Sequence, residues 1–185
     1  MGAELTEEQE AFRKVVRDFA EREVAPHAEA WDRDRIFPVD VVLAMGALGL
    51  FGLTAPEELG GAGADLTTLC VAIEELARVD SSIAITLSAG VGLGINPILT
   101  FGSEDQKAEW LPDLVAGRAL GAFGLTEPDA GSDAGATRTR ATKDGADWVV
   151  DGAKAFITNS GTPITSVITV TARTGPALRR GRCGR

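Results

Sequence analysis

The chain has 185 residues and a formal net charge of −9, with 44% hydrophobic and 24% charged residues. This composition is typical of a folded globular protein, and its acidic balance argues against nucleic-acid binding, because phosphate contacts need a basic surface. Two Cys and a single His exclude a disulfide scaffold, a four-Cys zinc site and a His-rich metal centre, so we predict no metal site. No targeting signal is visible and nothing approaches a membrane-spanning run, so we expect a cytoplasmic protein with no membrane partner.

Helices are predicted over most of the first two-thirds of the chain. Thr6 with Gln9 matches the capping box that begins a helix, and apolar residues follow it at helical spacing up to residue 20. Pro26 interrupts this pattern, and a stretch of mixed charge runs from there to Pro38. A second apolar stripe covers residues 41–48 and stops at Gly49, whereas residues 57–63 are predicted to form a loop.

A helix over residues 66–77 is predicted to be amphipathic, with Cys70 on its apolar face and Glu74, Glu75 and Arg78 facing water. Trp31 and Trp110 occupy helical positions, and we predict that they pack against the core.

Asp80 is predicted to cap the next helix, which is apolar nearly all round from residue 83 to 99 and therefore typical of a buried helix. Gly90, Gly92 and Gly94 lie within it. They do not form a dinucleotide-binding loop, because the third Gly of G-x-G-x-x-G would fall on Ile95 and no strand precedes them. We predict instead that these small residues let the helix approach its neighbours closely.

A last helix begins at a second capping box, Ser103 with Gln106, and ends near Gly117. The pattern then changes from helical to alternating, which predicts strands over residues 120–125, 137–142, 148–150, 154–158 and 165–171. Asp144-Gly145 and Asp151-Gly152 are hairpin signals. The last stretch, from Arg173, holds five Arg and no acidic residue, and we predict a disordered basic tail over residues 174–185.

The most specific motif is the segment from Gly124 to Ala136, which is rich in small residues, hydroxyls and carboxylates. Such a turn at the end of a strand presents N–H groups and hydroxyls that can bind a phosphate or the polar edge of a heterocycle. On these residues alone, an acidic loop without a ligand is an equal alternative. The segment nevertheless resembles the sequence signature of acyl-CoA dehydrogenases at every constrained position, including its G-[LIVM]-[ST]-E start and the G-[ST]-D that follows.

Further blocks support the resemblance. The residues Phe156-Ile157-Thr158-Asn159-Ser160-Gly161 are similar to the W-I-T-N-G stretch of the same family. Residues 5–9 and 102–107 are similar to blocks of its helical domain, so the resemblance covers roughly residues 4–172. It implies an α+β fold: an N-terminal all-α helical bundle over residues 1–118, followed over residues 119–173 by the first strands of an antiparallel β-barrel, which is incomplete.

The resemblance also implies an activity. Enzymes of this family are oxidoreductases of fatty acid metabolism: FAD-dependent flavoproteins that desaturate an acyl-CoA thioester between its α and β carbons. A glutamate base removes the α proton, electron-transfer flavoprotein is the usual oxidant, and the full-length enzymes form homo-oligomers.

Carried over residue by residue, the resemblance implies contacts to FAD from Phe123, Leu125, Thr126, Phe156, Ile157 and Thr158. Leu125 and Thr126 would lie at the pyrimidine edge of the flavin, and the Thr158 hydroxyl would be within reach of N5. Phe156 would stack near the isoalloxazine ring at a position where many members have Trp. Ser132 would contact the CoA arm of the substrate.

No catalytic base is assigned in this chain. The family places that glutamate in a C-terminal helical bundle that this sequence does not contain, and Glu127 and Asp133 belong to the signature and are not used as the base. The abrupt change of composition from Thr174 leads to the hypothesis that the chain is a truncated or frame-shifted reading of a longer gene.

Two functions stay open at this point. The chain is the N-terminal portion of an acyl-CoA dehydrogenase, or it is a non-catalytic remnant that binds flavin or acyl-CoA without turnover. The sequence does not decide the length or branching of the acyl chain.

Overall fold

Seven α-helices precede four strands in the computed structural model, which describes residues 4–175. The helices are α1 (Glu7–Phe19), α2 (Ala28–Asp34), α3 (Val39–Ala47), α4 (Leu66–Ala77), α5 (Ser81–Ala89), α6 (Asn96–Phe101) and α7 (Glu104–Val115). The strands are β1 (Leu120–Gly124), β2 (Arg140–Asp144), β3 (Asp147–Asp151) and β4 (Thr165–Val170). The predicted α+β class, a helical domain followed by a few strands, is confirmed, and the sheets are small and not closed.

The chain divides into two units that alternate along the sequence. The first unit comprises Met1–Phe123 and Thr158–Thr169, and the second comprises Gly124–Ile157 and Val170–Arg185. Strands β1 and β4 pair in a two-stranded sheet, and all but the last residue of each strand belongs to the first unit. The predicted basic tail lies outside the described residues from position 176 onward.

Local capping explains where the helices of the first unit begin. The Thr6 and Ser103 hydroxyls accept hydrogen bonds from the N–H groups of Gln9 and Gln106 at 3.2 and 3.3 Å, and both glutamine side chains accept in return from the cap N–H. The Asp80 carboxylate caps α5 by accepting from the N–H of Ser82 at 2.7 Å. These interactions satisfy N–H groups that have no partner inside the helix, and all three predicted starts are confirmed.

One apolar core fills the first unit. Its largest fully buried side chains include Met45, Leu50, Phe51, Leu76 and Leu87. Trp31 and Trp110 pack against this core, as predicted, and Val167 of β4 joins them. Trp31 belongs to α2, which agrees with the helical position predicted for it.

Helix α4 has the predicted bounds, but two of its side chains have the opposite exposure to the prediction. Glu75, predicted to face water, is only 2% exposed, and it accepts two hydrogen bonds from Arg17 of α1 at 2.8 and 2.9 Å. Cys70, predicted to lie in the core, is exposed. Sequence periodicity misplaces Glu75 because arginines on another helix and on the C-terminal end of α4 provide the partners that make a buried carboxylate tolerable.

The helical run Ser81–Phe101 is not buried all round. Ile85, Leu93 and Phe101 are exposed, because the run packs on α4 and α7 through one side only. The run is long and apolar enough to cross a membrane by length and composition, and 56% of its most apolar window is buried. This corrects both the prediction of a fully buried helix and the statement that nothing approaches a spanning run.

The glycines of this run act as predicted at two of three positions. A Cβ at Gly94 would lie 2.7 Å from the carbonyl oxygen of Gly121 in β1, and one at Gly90 would lie 2.7 Å from the Phe51 ring. Gly92 has open space around it. Gly94 therefore allows the backbone of the helix to touch the backbone of β1.

The second unit contains an antiparallel hairpin of β2 and β3, with Arg140 opposite Asp151 and Asp144 opposite Asp147. Gly145, at φ 61°, opens the two-residue loop, so the Asp144-Gly145 signal is confirmed. Strand β2 begins at residue 140 and not at 137, because the Thr137 hydroxyl instead bonds the Ala134 carbonyl in a short 3-10 turn.

Two strand predictions in this region are wrong. Residues 154–158 form no strand, and Asp151-Gly152 does not start a second hairpin. Gly152 lies directly against Thr139, where a Cβ would overlap the threonine side chain, and the Ala155 N–H bonds the Thr126 carbonyl at 2.9 Å. The segment is therefore held by the turn after β1 and not by a neighbouring strand.

Replacing Gly94 with Ala is expected to lower the free energy of unfolding by about 1–3 kcal/mol, because the added Cβ cannot be accommodated against the β1 backbone. Urea unfolding of the variant measures this change. Gly92→Ala is the matched control, and its stability should be unchanged or slightly raised since its Cβ meets nothing within 4 Å. Equal effects of the two substitutions would contradict the close approach.

Replacing Glu75 with Gln is expected to destabilise the protein at neutral pH by about 1–2 kcal/mol, a value reduced by the partial exposure of the arginines. The Arg17 guanidinium, followed by that of Arg78, lowers the pKa of Glu75 below its ordinary value of 4.5. The stabilisation is therefore complete above about pH 4.5 and is lost as the pH falls through the folded-state pKa.

Unfolding curves at pH 7 and at pH 3 to 4 measure this dependence. The penalty of Glu75→Gln should shrink on acidification. The exposed neighbour Glu74 provides the control, and Glu74→Gln should change stability little at either pH. A Glu75→Gln penalty that is the same at both pH values would count against the ion pair.

Candidate functional site

The segment Gly124–Ala136 starts where β1 ends and closes at once into a tight turn. Glu127 and Ala130 exchange two backbone hydrogen bonds, of 2.9 and 3.1 Å, with Pro128 and Asp129 at the tip. Proline suits the second position of such a turn because its φ is already fixed near the required value. At the surface, Asp129 pairs with Arg138 at 2.6 Å.

The Glu127 side chain is the centre of this turn. It is 5% exposed and accepts hydrogen bonds from the backbone N–H groups of Arg138 and Thr139, at 2.6 and 2.9 Å, and from Lys154 Nζ at 2.8 Å. These donors, Lys154 first, hold the pKa of Glu127 well below its ordinary value. Glu127 is therefore a carboxylate at neutral pH and is poorly suited to act as a general base.

Lys154 brings the second sequence block to the turn. Its ammonium group donates to Glu127, to the Leu125 carbonyl oxygen at 3.0 Å and to the Thr171 hydroxyl at 3.1 Å, so each of its three donors has an acceptor. One residue further, the Ala155 N–H bonds the Thr126 carbonyl. The turn and the segment that leads to Phe156 therefore lie side by side.

This arrangement leaves hydrogen-bond donors available in the turn. The carbonyl oxygens of Leu125 and Thr126 are occupied by Lys154 and Ala155. Their N–H groups and the Thr126 hydroxyl have no acceptor among residues 4–175, and Leu125 is 37% exposed. Neighbouring N–H and hydroxyl groups of this kind can bind the acceptor atoms of a ligand.

Phe156 follows Ala155 in an unusual conformation. Its backbone has φ 59°, which a bulky residue rarely adopts, and its ring is 93% exposed. The exposed ring of Phe156 therefore follows directly after Ala155, which bonds the donor-bearing turn. A planar heteroaromatic ligand fits this arrangement, because the donors can bind the polar edge of the ligand and the aromatic side chain can cover its face. Ile157 is half-buried beside it.

The other predicted site residues are less closely placed. Ser132 is exposed in the same segment, beyond the tight turn. Phe123 and Thr158 belong to the first unit, and their contact to FAD stays a prediction. Among the described residues there is no cluster of His, Cys, Asp and Glu side chains that could hold a metal ion.

Lys154 is not among the site residues predicted from the sequence. The available signal was a lysine between Ala153 and Ala155, in a segment interpreted as a strand. Nothing in that pattern indicates an acceptor 27 or 29 residues earlier in the chain.

Two family models match the chain: acyl-CoA dehydrogenase, N-terminal domain, at residues 6–118, and acyl-CoA dehydrogenase, middle domain, at residues 122–183. A probable acyl-CoA dehydrogenase of Bacillus subtilis (strain 168) is 46% identical over 169 residues, which cover 91% of this chain and 44% of that protein.

Solved structures agree. Butyryl-CoA dehydrogenase from Megasphaera elsdenii superposes with a TM-score of 0.87 at 41% identity, covering 95% of this chain and 46% of the other. A glutaryl-CoA dehydrogenase from Mycobacterium smegmatis in complex with FADH2 gives a TM-score of 0.87 at 38% identity, covering 92% and 43%. The chain spans less than half the length of each of these relatives.

Replacing Phe156 with Gly is expected to stabilise the ligand-free protein by about 1 kcal/mol, because glycine adopts a positive φ without strain. Thermal or urea unfolding measures the gain. Phe156→Ala removes the same exposed ring but keeps a Cβ at φ 59°, so its stability should stay near that of the wild type. Equal stabilisation by Gly and Ala would show that the ring, and not the backbone, is the source of the effect.

Proposed function

Because the chain belongs to the acyl-CoA dehydrogenase family, we propose that its second unit contributes to the flavin site of an FAD-dependent enzyme that desaturates acyl-CoA thioesters between the α and β carbons. The observation that carries this proposal is the set of unoccupied donors at Leu125 and Thr126 next to the segment that ends in the uncovered ring of Phe156. The acyl-chain length stays open.

Each residue of the site has a proposed role. The N–H groups of Leu125 and Thr126 and the Thr126 hydroxyl donate to the polar edge of the ring, where they stabilise negative charge. Phe156 covers a ring face and Ile157 contributes backbone. Ser132 contacts the CoA arm of the substrate. When bound, FAD supplies the hydride-accepting chemistry, and the protein supplies orientation and electrostatics.

We assign no catalytic base among residues 4–175. Glu127, the buried carboxylate of the turn, is stabilised as an anion by three hydrogen-bond donors, and a carboxylate stabilised in this way is a weak base. Removal of the α proton is therefore proposed to depend on a group outside these residues. An electron-transfer flavoprotein as oxidant and a homo-oligomeric enzyme complete the proposal, on the strength of family membership.

A second candidate function uses the same site without turnover. In this case the chain binds flavin or acyl-CoA but does not desaturate the acyl-CoA. The observation that favours it is that Glu127, the buried carboxylate of the turn, is engaged by Lys154 and by two backbone N–H groups and is not available to remove a proton. The two candidates share the predicted binding residues and differ in whether substrate reduces the flavin.

Reduction of bound flavin separates the candidates. The purified chain is titrated with FAD, its visible absorbance is recorded, and butyryl-CoA is added under anaerobic conditions. Bleaching of the bound flavin would support dehydrogenation by this chain and would contradict the proposal that the proton-removing group lies outside residues 4–175. Bound flavin that stays oxidised would support binding without turnover. A folded chain that binds neither FAD nor butyryl-CoA would contradict both.

Replacing Thr126 with Val is expected to raise the dissociation constant for FAD about fivefold, because the variant keeps the side-chain shape but loses one hydroxyl donor. Flavin fluorescence measures the affinity. Thr142→Val, at an exposed position on β2, is the control and should bind FAD like the wild type. An unchanged affinity of Thr126→Val would remove this hydroxyl from the proposed site.

A further inference from the structure

In the turn, the carbonyl oxygens of Leu125 and Thr126 are bound by Lys154 and Ala155, whereas the N–H groups of the same two residues have no acceptor among residues 4–175. We propose that Lys154 is the positioning residue of the site: by binding the Leu125 carbonyl oxygen, it orders the turn so that the N–H groups of Leu125 and Thr126 stay free for the ligand. This inference rests on the proposed FAD-binding function.

The geometry of Lys154 supports this role. Its side chain is 11% exposed and donates to Glu127, Leu125 and Thr171 at 2.8, 3.0 and 3.1 Å. Among the described residues it is the side chain that binds the Leu125 carbonyl oxygen, and it does so from 29 positions further along the chain. The adjacent Ala155 N–H donates a hydrogen bond to the Thr126 carbonyl oxygen. Two consecutive carbonyl groups, those of Leu125 and Thr126, therefore point toward residues 154–155.

The charge of Lys154 has a separate, structural role. Glu127 is 4% exposed in its side chain, so loss of the ammonium group alone leaves a buried carboxylate without its counter-ion. Removing both charges, as in Lys154→Met with Glu127→Gln, avoids that penalty. The double variant still lacks a donor for the Leu125 carbonyl. The structural and positioning roles of Lys154 are therefore separable by experiment.

Four versions of the full chain test the inference: the wild type, Lys154→Met, the double variant Lys154→Met/Glu127→Gln, and Lys143→Met as an exposed lysine control on β2. For each, the melting temperature without FAD and the dissociation constant for FAD are measured. The {1H}–15N heteronuclear NOE of the Leu125 and Thr126 amides, recorded without FAD, reports the order of the turn.

We expect Lys154→Met to lower the melting temperature and to weaken FAD binding. The double variant should recover most of the melting temperature, yet its dissociation constant should remain about tenfold above that of the wild type, as for the loss of one charged hydrogen bond. The NOE of the two amides should fall in both variants. Lys143→Met should match the wild type in all three measurements.

Recovery of both melting temperature and FAD affinity in the double variant would overturn the inference, because Lys154 would then act only as a counter-ion. A folded wild-type chain that binds no FAD would instead contradict the proposed function. In that case the amide NOE decides: lower values in the double variant support the ordering of the turn by Lys154, and unchanged values overturn it.

Discussion

The ion pair between Glu127 and Lys154 is the interaction on which the second unit depends. Ala130 is the only buried apolar residue among those that the structure describes in this unit. Trp148, Val149 and Val150 of β3 are all more than half exposed. An apolar core therefore cannot hold the turn after β1 in place. Hydrogen bonds to one buried carboxylate do so instead, and they link Glu127 to residues 138, 139 and 154. Lys154 in turn binds residues 125 and 171.

The first unit is stabilised in a different way. Its helices bury a continuous apolar cluster, and the buried carboxylate of Glu75 pairs with Arg17 beside it. Close packing at Gly94 brings the helical run against the backbone of β1.

The chemistry of the proposed site follows from which polar groups of the turn already have a hydrogen-bond partner within the chain and which do not. Carboxylate and carbonyl oxygens in the turn are occupied by donors from within the chain, whereas N–H groups and a hydroxyl are left over. Such a surface attracts acceptor atoms and stabilises negative charge, and it offers no basic group for removing a proton. The described residues are therefore suited to holding and orienting a ring system, and the proton-removing step of the proposed reaction needs a further group.

Local signals in the sequence determined the capping boxes at Thr6 and Ser103, the helix cap at Asp80, the hairpin at Gly145 and the family signature, because each depends on residues within a few positions of one another. Periodicity alone misjudged Cys70 and Glu75, and it assigned a strand to residues 154–158. Only the tertiary structure decided that Glu75 is buried, that Lys154 supports the turn, and that the donors of Leu125 and Thr126 remain free. The partners in these interactions are 27 to 58 residues apart, and whether a polar group is buried or exposed depends on what the folded chain brings beside it.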